Sequence, residues 1–155
     1  MSLITVPKKI YVAAVASEGA TPLNAFDACL VKIGLPQISL IKVTSVLPPN
    51  IEVLEEPPDL PKGCNVPSIY SYIVSPNKNQ RIAGAIALGF SDQLTLVVEY
   101  TDFDIDAETA EQRAVNMVKE MARIRNINLN RIIAKSASHV VKNVGCVLVI
   151  AAEVE

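Results

Sequence analysis

Short apolar runs alternate with polar breaks along most of the chain, and many of these runs have the length of β-strands. Residues 9–16 form a near-continuous apolar run, which is typical of a strand that is covered on both faces. The breaks contain proline, glycine, asparagine or serine, which commonly end strands. The predicted strands are 9–16, 39–47, 66–75, 81–90, 94–100, 131–138 and 146–154.

Two other segments carry apolar residues at helical spacing. In the first, Thr21 and Pro22 suit the N-cap and first position of a helix, and Gly34 marks its end. The second runs from about residue 106 to 125, with acidic residues leading and basic residues closing it. The expected apolar stripes are Leu23, Phe26, Leu30 and Ile33 in the first helix, and Ala110, Ala114, Met117, Val118, Met121 and Ile124 in the second.

The order of these elements is strand, helix, several strands, helix and two strands. This order predicts an α+β fold in which helices pack on an antiparallel or mixed sheet. Residues 48–61 are rich in proline and acidic residues, and they predict an extended surface loop with little flexibility. At 155 residues, the chain is expected to form a single domain, residues 1–155.

Composition narrows the classes of function. The net charge is −2 and lysine and arginine are scattered, which gives no basic surface for nucleic acid, and no apolar run is long enough to span a membrane. The first residues lack the features of a signal peptide. Cys29, Cys64 and Cys146 have no disulfide or metal spacing, so we expect buried, reduced thiols in a cytoplasmic protein. His139 is the only histidine, so no metal site is expected.

Thr44 and Ser45 are two adjacent hydroxyl residues where the apolar run 39–47 meets two prolines. One interpretation is an ordinary strand that ends in a polar step. The other is a strained turn in which a nucleophilic hydroxyl lies beside the preceding carbonyl, a geometry that permits self-cleavage. The local sequence alone favours the ordinary strand end, and self-cleavage stays open as the alternative.

Three further polar residues are candidates for a site. Glu99 ends the apolar run 94–99, so its carboxyl group is either exposed at the end of a strand or placed at a cleft, where burial would raise its pKa. Asp27 lies at the border of the first helix's apolar stripe and, taken alone, is typical of a solvated helix residue. His139 lies within a predicted strand and is typical of a hydrogen-bonded structural residue.

Taken together, these segments resemble the pyruvoyl-dependent arginine decarboxylase family. The matches keep the family's order and cover nearly the whole chain. They are Ser17-Glu-Gly-Ala-Thr-Pro-Leu-Asn-Ala-Phe-Asp27, Leu40-Ile-Lys-Val-Thr-Ser-Val-Leu-Pro-Pro49, Pro61-Lys-Gly63, Val66-Pro67, Tyr70-Ser-Tyr-Ile-Val-Ser75, Val98-Glu-Tyr100, His139 and Val144-Gly-Cys146. The resemblance implies a layered sandwich of mostly antiparallel sheet with helices outside. It also implies assembly as a trimer or a pair of trimers, with sites between subunits.

The resemblance further implies that the chain cleaves itself between Thr44 and Ser45, giving a β fragment, residues 1–44, and an α fragment, residues 45–155. In this chemistry the Ser45 oxygen attacks the Thr44 carbonyl and converts the amide to an ester. Elimination releases the Thr44 carboxylate and leaves dehydroalanine, which hydrolyses to a pyruvoyl group and ammonia. The expected cofactor is therefore a pyruvoyl group derived from Ser45.

The reaction that the resemblance implies is the conversion of L-arginine to agmatine and CO2, which feeds polyamine synthesis. The pyruvoyl carbonyl forms a Schiff base with the α-amine of arginine and is the electron sink when CO2 leaves. Glu99 matches the family's proposed proton donor. Asp27 matches the carboxylate that faces the guanidinium group of the substrate.

Ser39 departs from the family pattern. Better-known members carry at this position an asparagine that assists processing and lines the site. A serine reaches less far and has no amide oxygen, so slower processing, or processing through a bridging water, is expected. Two alternatives stay open: a decarboxylase of another amino acid on the same scaffold, and an unprocessed structural or regulatory oligomer.

Overall fold

The computed structural model describes residues 4–155. The helices in this range are α1 (Pro22–Lys32) and α2 (Ala107–Ile124). The strands are β1 (Lys9–Gly19), β2 (Ser39–Lys42), β3 (Val46–Leu47), β4 (Glu52–Leu54), β5 (Asn65–Ser75), β6 (Arg81–Phe90), β7 (Thr95–Phe103), β8 (Arg131–Val140) and β9 (Val144–Val154).

The strands form two sheets. The first sheet has the order β2-β5-β9-β1-β4, and the second has the order β3-β7-β6-β8. The long strands pair antiparallel, as β1 does with β9 and as β6 does with β7 and β8. The short edge strands β2 and β4 pair in parallel with β5 and β1. The α+β fold with mostly antiparallel sheets is therefore confirmed.

Alternation along β1 shows how the layers pack. Ile10 and Val12 face the second sheet, whereas Tyr11, Ala13 and Val15 face α1. α1 covers the outer face of the first sheet, and α2 covers the outer face of the second. The molecule is thus a four-layer sandwich with helices outside, as the family resemblance implies.

Both helices begin and end where the sequence predicts. The Thr21 hydroxyl oxygen accepts from the Asn24 amide at 3.2 Å, and Asp106 caps α2 by accepting from the Thr109 amide at 2.7 Å. Gly34, with a φ of 86°, follows the end of α1 in the left-handed region that favours glycine. Among residues 4–155, neither helix is long and apolar enough to cross a membrane.

The predicted apolar stripes are partly wrong. Leu23 is 75% exposed, and in α2 Met117 is 44% and Ile124 is 67% exposed. The contact faces are centred on small residues instead, which bring the helices close to the sheets and leave these larger side chains on the flanks. The buried residues are Ala25 and Cys29 in α1, and Ala110, Ala114, Val118 and Ala122 in α2.

The prediction of one continuous strand over 39–47 is wrong. β2 pairs with β5 in the first sheet, whereas β3 pairs with β7 in the second. Stacked sheets lie about 10 Å apart, so one straight strand cannot belong to both. The chain leaves the first sheet after Lys42 and joins the second at Val46. Both halves are apolar, and an apolar pattern does not show which sheet a strand joins.

The predicted proline-rich loop also contains a strand. β4 pairs in parallel with the start of β1, where Ile10 lies opposite Val53. The half-buried side chains of Val53 and Leu54 pack against the core on either side of the first sheet. This short strand covers the sheet edge next to β1, so part of the predicted loop is hydrogen-bonded into the first sheet.

Candidate functional site

The segment from Val43 to Ser45, called the crossing segment below, carries the chain from the first sheet to the second. At its start, the amide of Val43 donates to the carbonyl of Ser68 on β5 at 3.0 Å. At its end, the amide of Val97 on β7 donates to the carbonyl of Ser45 at 2.9 Å. Thr44 is exposed and Ser45 is half-buried. The peptide bond between Thr44 and Ser45 therefore lies outside both sheets, between two anchored positions.

Glu99 lies on β7, two residues beyond Val97. Because side chains alternate along a strand, Glu99 shares the inner face of β7 with Val97, which packs between the sheets. Its Oε2 atom is buried and has no hydrogen-bond partner among the described residues. Burial raises the pKa of Glu99, and the positive charge of Lys42 offsets part of this rise. This carboxyl group therefore keeps its proton to a higher pH than an exposed glutamate does.

The surroundings of Glu99 exclude one of the two interpretations of this residue. β7 continues to Phe103, so Glu99 lies inside the strand rather than at its exposed end. Its partner across the ladder is Ile86 of β6, which is fully buried. Glu99 is therefore a partly buried carboxyl group at the inner face of the second sheet.

Lys42, which was not among the predicted site residues, lies next to the crossing segment. Its ammonium group donates to the backbone carbonyl of Tyr70 on β5 and lies 4.5 Å from the centroid of the Tyr70 ring. The sequence held a signal for it, since Lys42 is a charged residue inside an apolar run. The same feature had singled out Glu99.

Asp27 lies on the exposed side of α1. The neighbouring Phe26 packs on β5, with its ring centroid 4.6 Å from that of Tyr72 and 6.4 Å from that of Tyr70. The ion pairs found among residues 4–155 do not include Asp27. Its carboxylate is therefore open to solvent and is not tied to the crossing segment of its own chain.

Ser39 is exposed at the first position of β2, where its amide donates to the carbonyl of Cys64 at 2.9 Å. A strand advances by about 3.3 Å per residue, so β2 alone separates Ser39 from Lys42 by about 10 Å. Ser45 lies three residues further along the chain than Lys42. Ser45 is hydrogen-bonded to β7, the strand that carries Glu99, whereas Ser39 is hydrogen-bonded to the turn before β5.

His139 has a structural partner at another end of the sandwich. Its Nε2 atom lies 2.5 Å from Oε2 of Glu18, at the end of β1. The same carboxylate accepts from the amides of Lys142 and Asn143, at 3.2 and 2.7 Å. Burial alone raises the pKa of Glu18, but these hydrogen bonds together bring it below its usual value. His139 is therefore hydrogen-bonded, as expected, and its structural role stays a prediction.

The grooves and side-chain clusters described next do not involve the crossing segment. A groove of about 710 Å³ at the C-terminal end of α2 is lined by residues within 119–132, none of which is a predicted site residue. In the described part of the chain, no group of three or more His, Cys, Asp or Glu side chains could hold a metal ion.

Cys29 and Cys146 are buried, as expected. The expectation that Cys64 is also buried is wrong, because Cys64 lies in the turn before β5 and is half-exposed.

Comparison with known proteins bears on what this arrangement does. The profile of the family described as pyruvoyl-dependent arginine decarboxylase matches residues 9–155. A curated protein of that name from Pyrococcus furiosus is 39% identical over 146 residues, which cover 92% of this chain and 91% of the relative. Relatives with the same name from Methanothermobacter thermautotrophicus and Methanocaldococcus jannaschii are each 34% identical, over 137 and 153 residues. These alignments cover 88% and 94% of this chain, and 90% and 89% of the relatives. The chain therefore belongs to the pyruvoyl-dependent arginine decarboxylase family.

Proposed function

We propose that this chain cleaves itself between Thr44 and Ser45 and then converts L-arginine to agmatine and CO2, supplying agmatine for polyamine synthesis. The geometry at the crossing segment carries the proposal. The Val97 amide holds the Ser45 carbonyl, and two residues further along the same strand Glu99 has a buried Oε2 without a partner among the described residues. Membership of the family supports both steps.

The residues at the crossing segment fit the pyruvoyl group that the family name implies. Ser45 is the residue type from which such a group forms, and the peptide bond before it lies outside both sheets. Thr44 is exposed, so a new carboxylate there meets solvent. The ladders of β2 with β5 and of β3 with β7 would keep both fragments in place after cleavage. When present, a pyruvoyl group supplies an electrophilic carbonyl that withdraws electrons as CO2 leaves.

In this proposal Glu99 donates the proton that replaces CO2 on the α-carbon of the substrate. Its carboxyl group suits this task, because burial raises its pKa and Oε2 has no partner among the described residues. On the same face of β7, Val97 is fully buried between the sheets. This apolar packing excludes water from the inner side of the carboxyl group.

We further propose that a neighbouring copy of the chain completes the site, in a trimer or a pair of trimers. Asp27 and Ser39 are both exposed, and neither is tied to Ser45 in its own chain. An exposed carboxylate on α1 is free to face the site of another copy. There the Asp27 carboxylate would bind the guanidinium group of arginine through paired, planar hydrogen bonds, which select arginine over shorter or uncharged amino acids.

Intact-mass measurement of the purified full chain tests the cleavage. We expect two species, residues 1–44 and 45–155, the second lighter than a simple hydrolysis fragment by the mass of one ammonia molecule. Ser45→Ala should stay intact because it lacks the attacking oxygen. Thr44→Ala is the matched control, which keeps Ser45 and should still cleave. A folded, oligomeric protein that never splits would instead favour the unprocessed structural or regulatory oligomer.

Measurement of CO2 release from arginine, lysine, ornithine and histidine tests the substrate. We expect arginine to be turned over with the highest kcat/KM, because its planar guanidinium group matches a carboxylate such as that of Asp27. Borohydride reduction in the presence of arginine should attach the substrate to the 45–155 fragment. Cleavage with a preference for another amino acid would keep the processing proposal and replace the substrate.

A further inference from the structure

Lys42 carries a positive charge that is fixed in place beside the crossing segment. Its ammonium group is bonded to the Tyr70 carbonyl and lies over the Tyr70 ring. A lysine that is bound by both a carbonyl and an aromatic face has lost much of the mobility of an ordinary surface lysine. The charge therefore acts at one position rather than over a wide volume.

Lys42 and Glu99 lie at the same open edge of the two sheets. β2 ends with Lys42, the crossing segment follows, and Ser45 is bound to β7 two residues before Glu99. Near this point β5 and β7 touch across the space between the sheets, where the hydroxyl oxygens of Ser71 and Thr101 are 3.0 Å apart. Thr101 is two residues beyond Glu99 on the same face of β7. The carbonyl that accepts from the Lys42 ammonium therefore belongs to the residue next to Ser71, and Ser71 contacts the same face of β7 as Glu99.

Among the charged groups on the surrounding strands, Lys42 is the cation whose charge lowers the pKa of Glu99. Burial raises the pKa of Glu99, and the Lys42 charge opposes this rise. Lys135 of β8 lies in the same cross-strand row as Glu99, but Ile86 of β6 lies between them. The Lys135 ammonium donates to the Val12 carbonyl at 3.1 Å.

The other titratable groups on β5 and β7 do not face the Glu99 carboxyl group. Tyr70 of β5 meets Lys42 with its ring and its carbonyl. Tyr100 and Asp102 of β7 lie on the opposite face of the strand from Glu99, where the Tyr100 hydroxyl donates to Asp102 at 2.9 Å and accepts from Arg113 of α2 at 2.8 Å.

We propose that Lys42 is a positioning residue for Glu99, whose anchored positive charge lets the buried carboxyl group lose and regain its proton in each turnover. Burial without a nearby cation favours the protonated carboxyl group and disfavours the anion that remains after the proton is donated. A cation beside it restores this balance without touching the substrate. The inference rests on the proposed role of Glu99 as proton donor.

The test is a direct titration of Glu99 in the full-length Ser45→Ala chain, in which no pyruvoyl group forms and Thr44 gains no carboxylate. Carbon-13 NMR of labelled glutamate carboxyl groups follows the titration, and loss of one signal in Glu99→Gln assigns it. We expect Lys42→Met to move the Glu99 midpoint to higher pH, and Lys42→Arg to leave it near that of the parent. Lys42 is exposed, so these changes do not disturb the core.

Lys32→Met is the matched control. Lys32 is also exposed, and its ammonium also donates to a backbone carbonyl, that of Ala16 at 2.8 Å, but its charge does not act on Glu99. The Lys32→Met substitution should therefore leave the Glu99 midpoint unchanged. Equal midpoints in Lys42→Met and its parent, or equal shifts in Lys42→Met and Lys32→Met, would overturn the proposal.

Salt gives a second measurement that needs no substitution at Lys42. Added salt screens the attraction between the two charges, so the Glu99 midpoint of the Ser45→Ala chain should rise with salt concentration. A Glu99 midpoint that does not change with salt concentration would contradict the proposed effect of Lys42. The same salt series on Lys42→Met should show a flat response.

Turnover by the Ser45 chain separates this inference from the function on which it rests. If Glu99 acts as an acid, kcat falls as pH rises through its pKa, and Lys42→Met should move that fall to higher pH. If no variant cleaves or releases CO2, the proposed function fails, while the NMR titration still decides the effect of Lys42 on Glu99.

Discussion

Oε2 of Glu18 lies 2.5 Å from Nε2 of His139, so one carboxylate joins the end of β1 in the first sheet to β8 in the second. The same carboxylate accepts from the amides of Lys142 and Asn143 in the turn between β8 and β9. Gly145 lies against this cluster, where an added Cβ atom would be 2.8 Å from both Glu18 and His139. The cluster therefore connects the two sheets at this end of the sandwich.

Glu18→Gln is expected to destabilise the fold by about 1–2 kcal/mol near neutral pH, because it weakens charge-assisted hydrogen bonds. Burial opposes these bonds, but together they lower the pKa of Glu18. Its contribution is therefore full above the ordinary glutamate pKa of about 4.3 and is lost as pH falls through the lower folded-state pKa. Urea unfolding at neutral and at acidic pH should show the difference between the two proteins shrinking in acid.

Glu55→Gln is the control for this substitution. Glu55 is exposed in the loop after β4, so the change should leave the free energy of unfolding nearly unaltered at either pH. If Glu18→Gln were as stable as Glu55→Gln at neutral pH, the cluster would have no measurable role in joining the sheets.

Much of this fold follows from local signals that the sequence displays. Thr21, Pro22 and Gly34 bound α1, since caps and stops depend on the residues next to them. β6 spans Arg81–Phe90, the same bounds as predicted. Ser45 and Glu99 were also visible, because each is a polar residue in an apolar run. The roles of Asp27 and Ser39 came from the family resemblance alone.

What the sequence did not reveal depends on partners far along the chain. The change of sheet at the crossing segment is fixed by β5 on one side and β7 on the other, and no nearby residue announces it. The carbonyl that accepts from the Lys42 ammonium belongs to Tyr70, 28 residues away along the chain. The predicted helix contact faces are partly wrong for a related reason. The fit of small residues against the sheet determines which helix face is buried, rather than the hydrophobicity of one stripe.

Glu99→Gln is expected to lower kcat by roughly 10²- to 10⁴-fold, because an amide has no acidic proton to donate. Cleavage should continue, since Glu99 is assigned to decarboxylation and Ser45 to processing. Steady-state CO2 release and intact mass on the same sample check both parts. Loss of cleavage together with turnover would mean that Glu99 also acts in processing.

The same variant should change the dependence of stability on pH. Burial raises the folded-state pKa of Glu99, so the native protein loses stability as pH rises from about 4.3 through the raised value. Glu99→Gln removes this loss and should unfold at a higher temperature above that range. Glu153→Gln is a matched control, since burial also raises the pKa of Glu153 on β9. It should alter stability in the same direction and leave kcat unchanged.

Ser39→Asn is expected to speed cleavage by about 2- to 10-fold, the effect of one added hydrogen bond on a reaction barrier. The asparagine amide reaches further than the serine hydroxyl, and asparagine is the residue that the family resemblance implies at this position. The fraction of 45–155 fragment, followed over time by intact mass, measures the rate. Ser39→Ala should be slower than the parent, and equal rates for asparagine, serine and alanine would exclude a role of this position in processing.

Asp27→Ala is expected to reduce kcat/KM for arginine by roughly 10- to 100-fold, the cost of losing charge-assisted hydrogen bonds to a guanidinium group. Turnover of an uncharged amino acid, where measurable, should change little, because it makes no such contact. Asp59→Ala is the control: Asp59 is exposed in the proline-rich segment after β4, so the variant loses the same charge elsewhere. Equal losses in both variants would indicate a general effect of surface charge on a cationic substrate. A loss confined to Asp27→Ala, in a protein that still cleaves and assembles, would place Asp27 at the substrate site, as the proposed role in guanidinium binding requires.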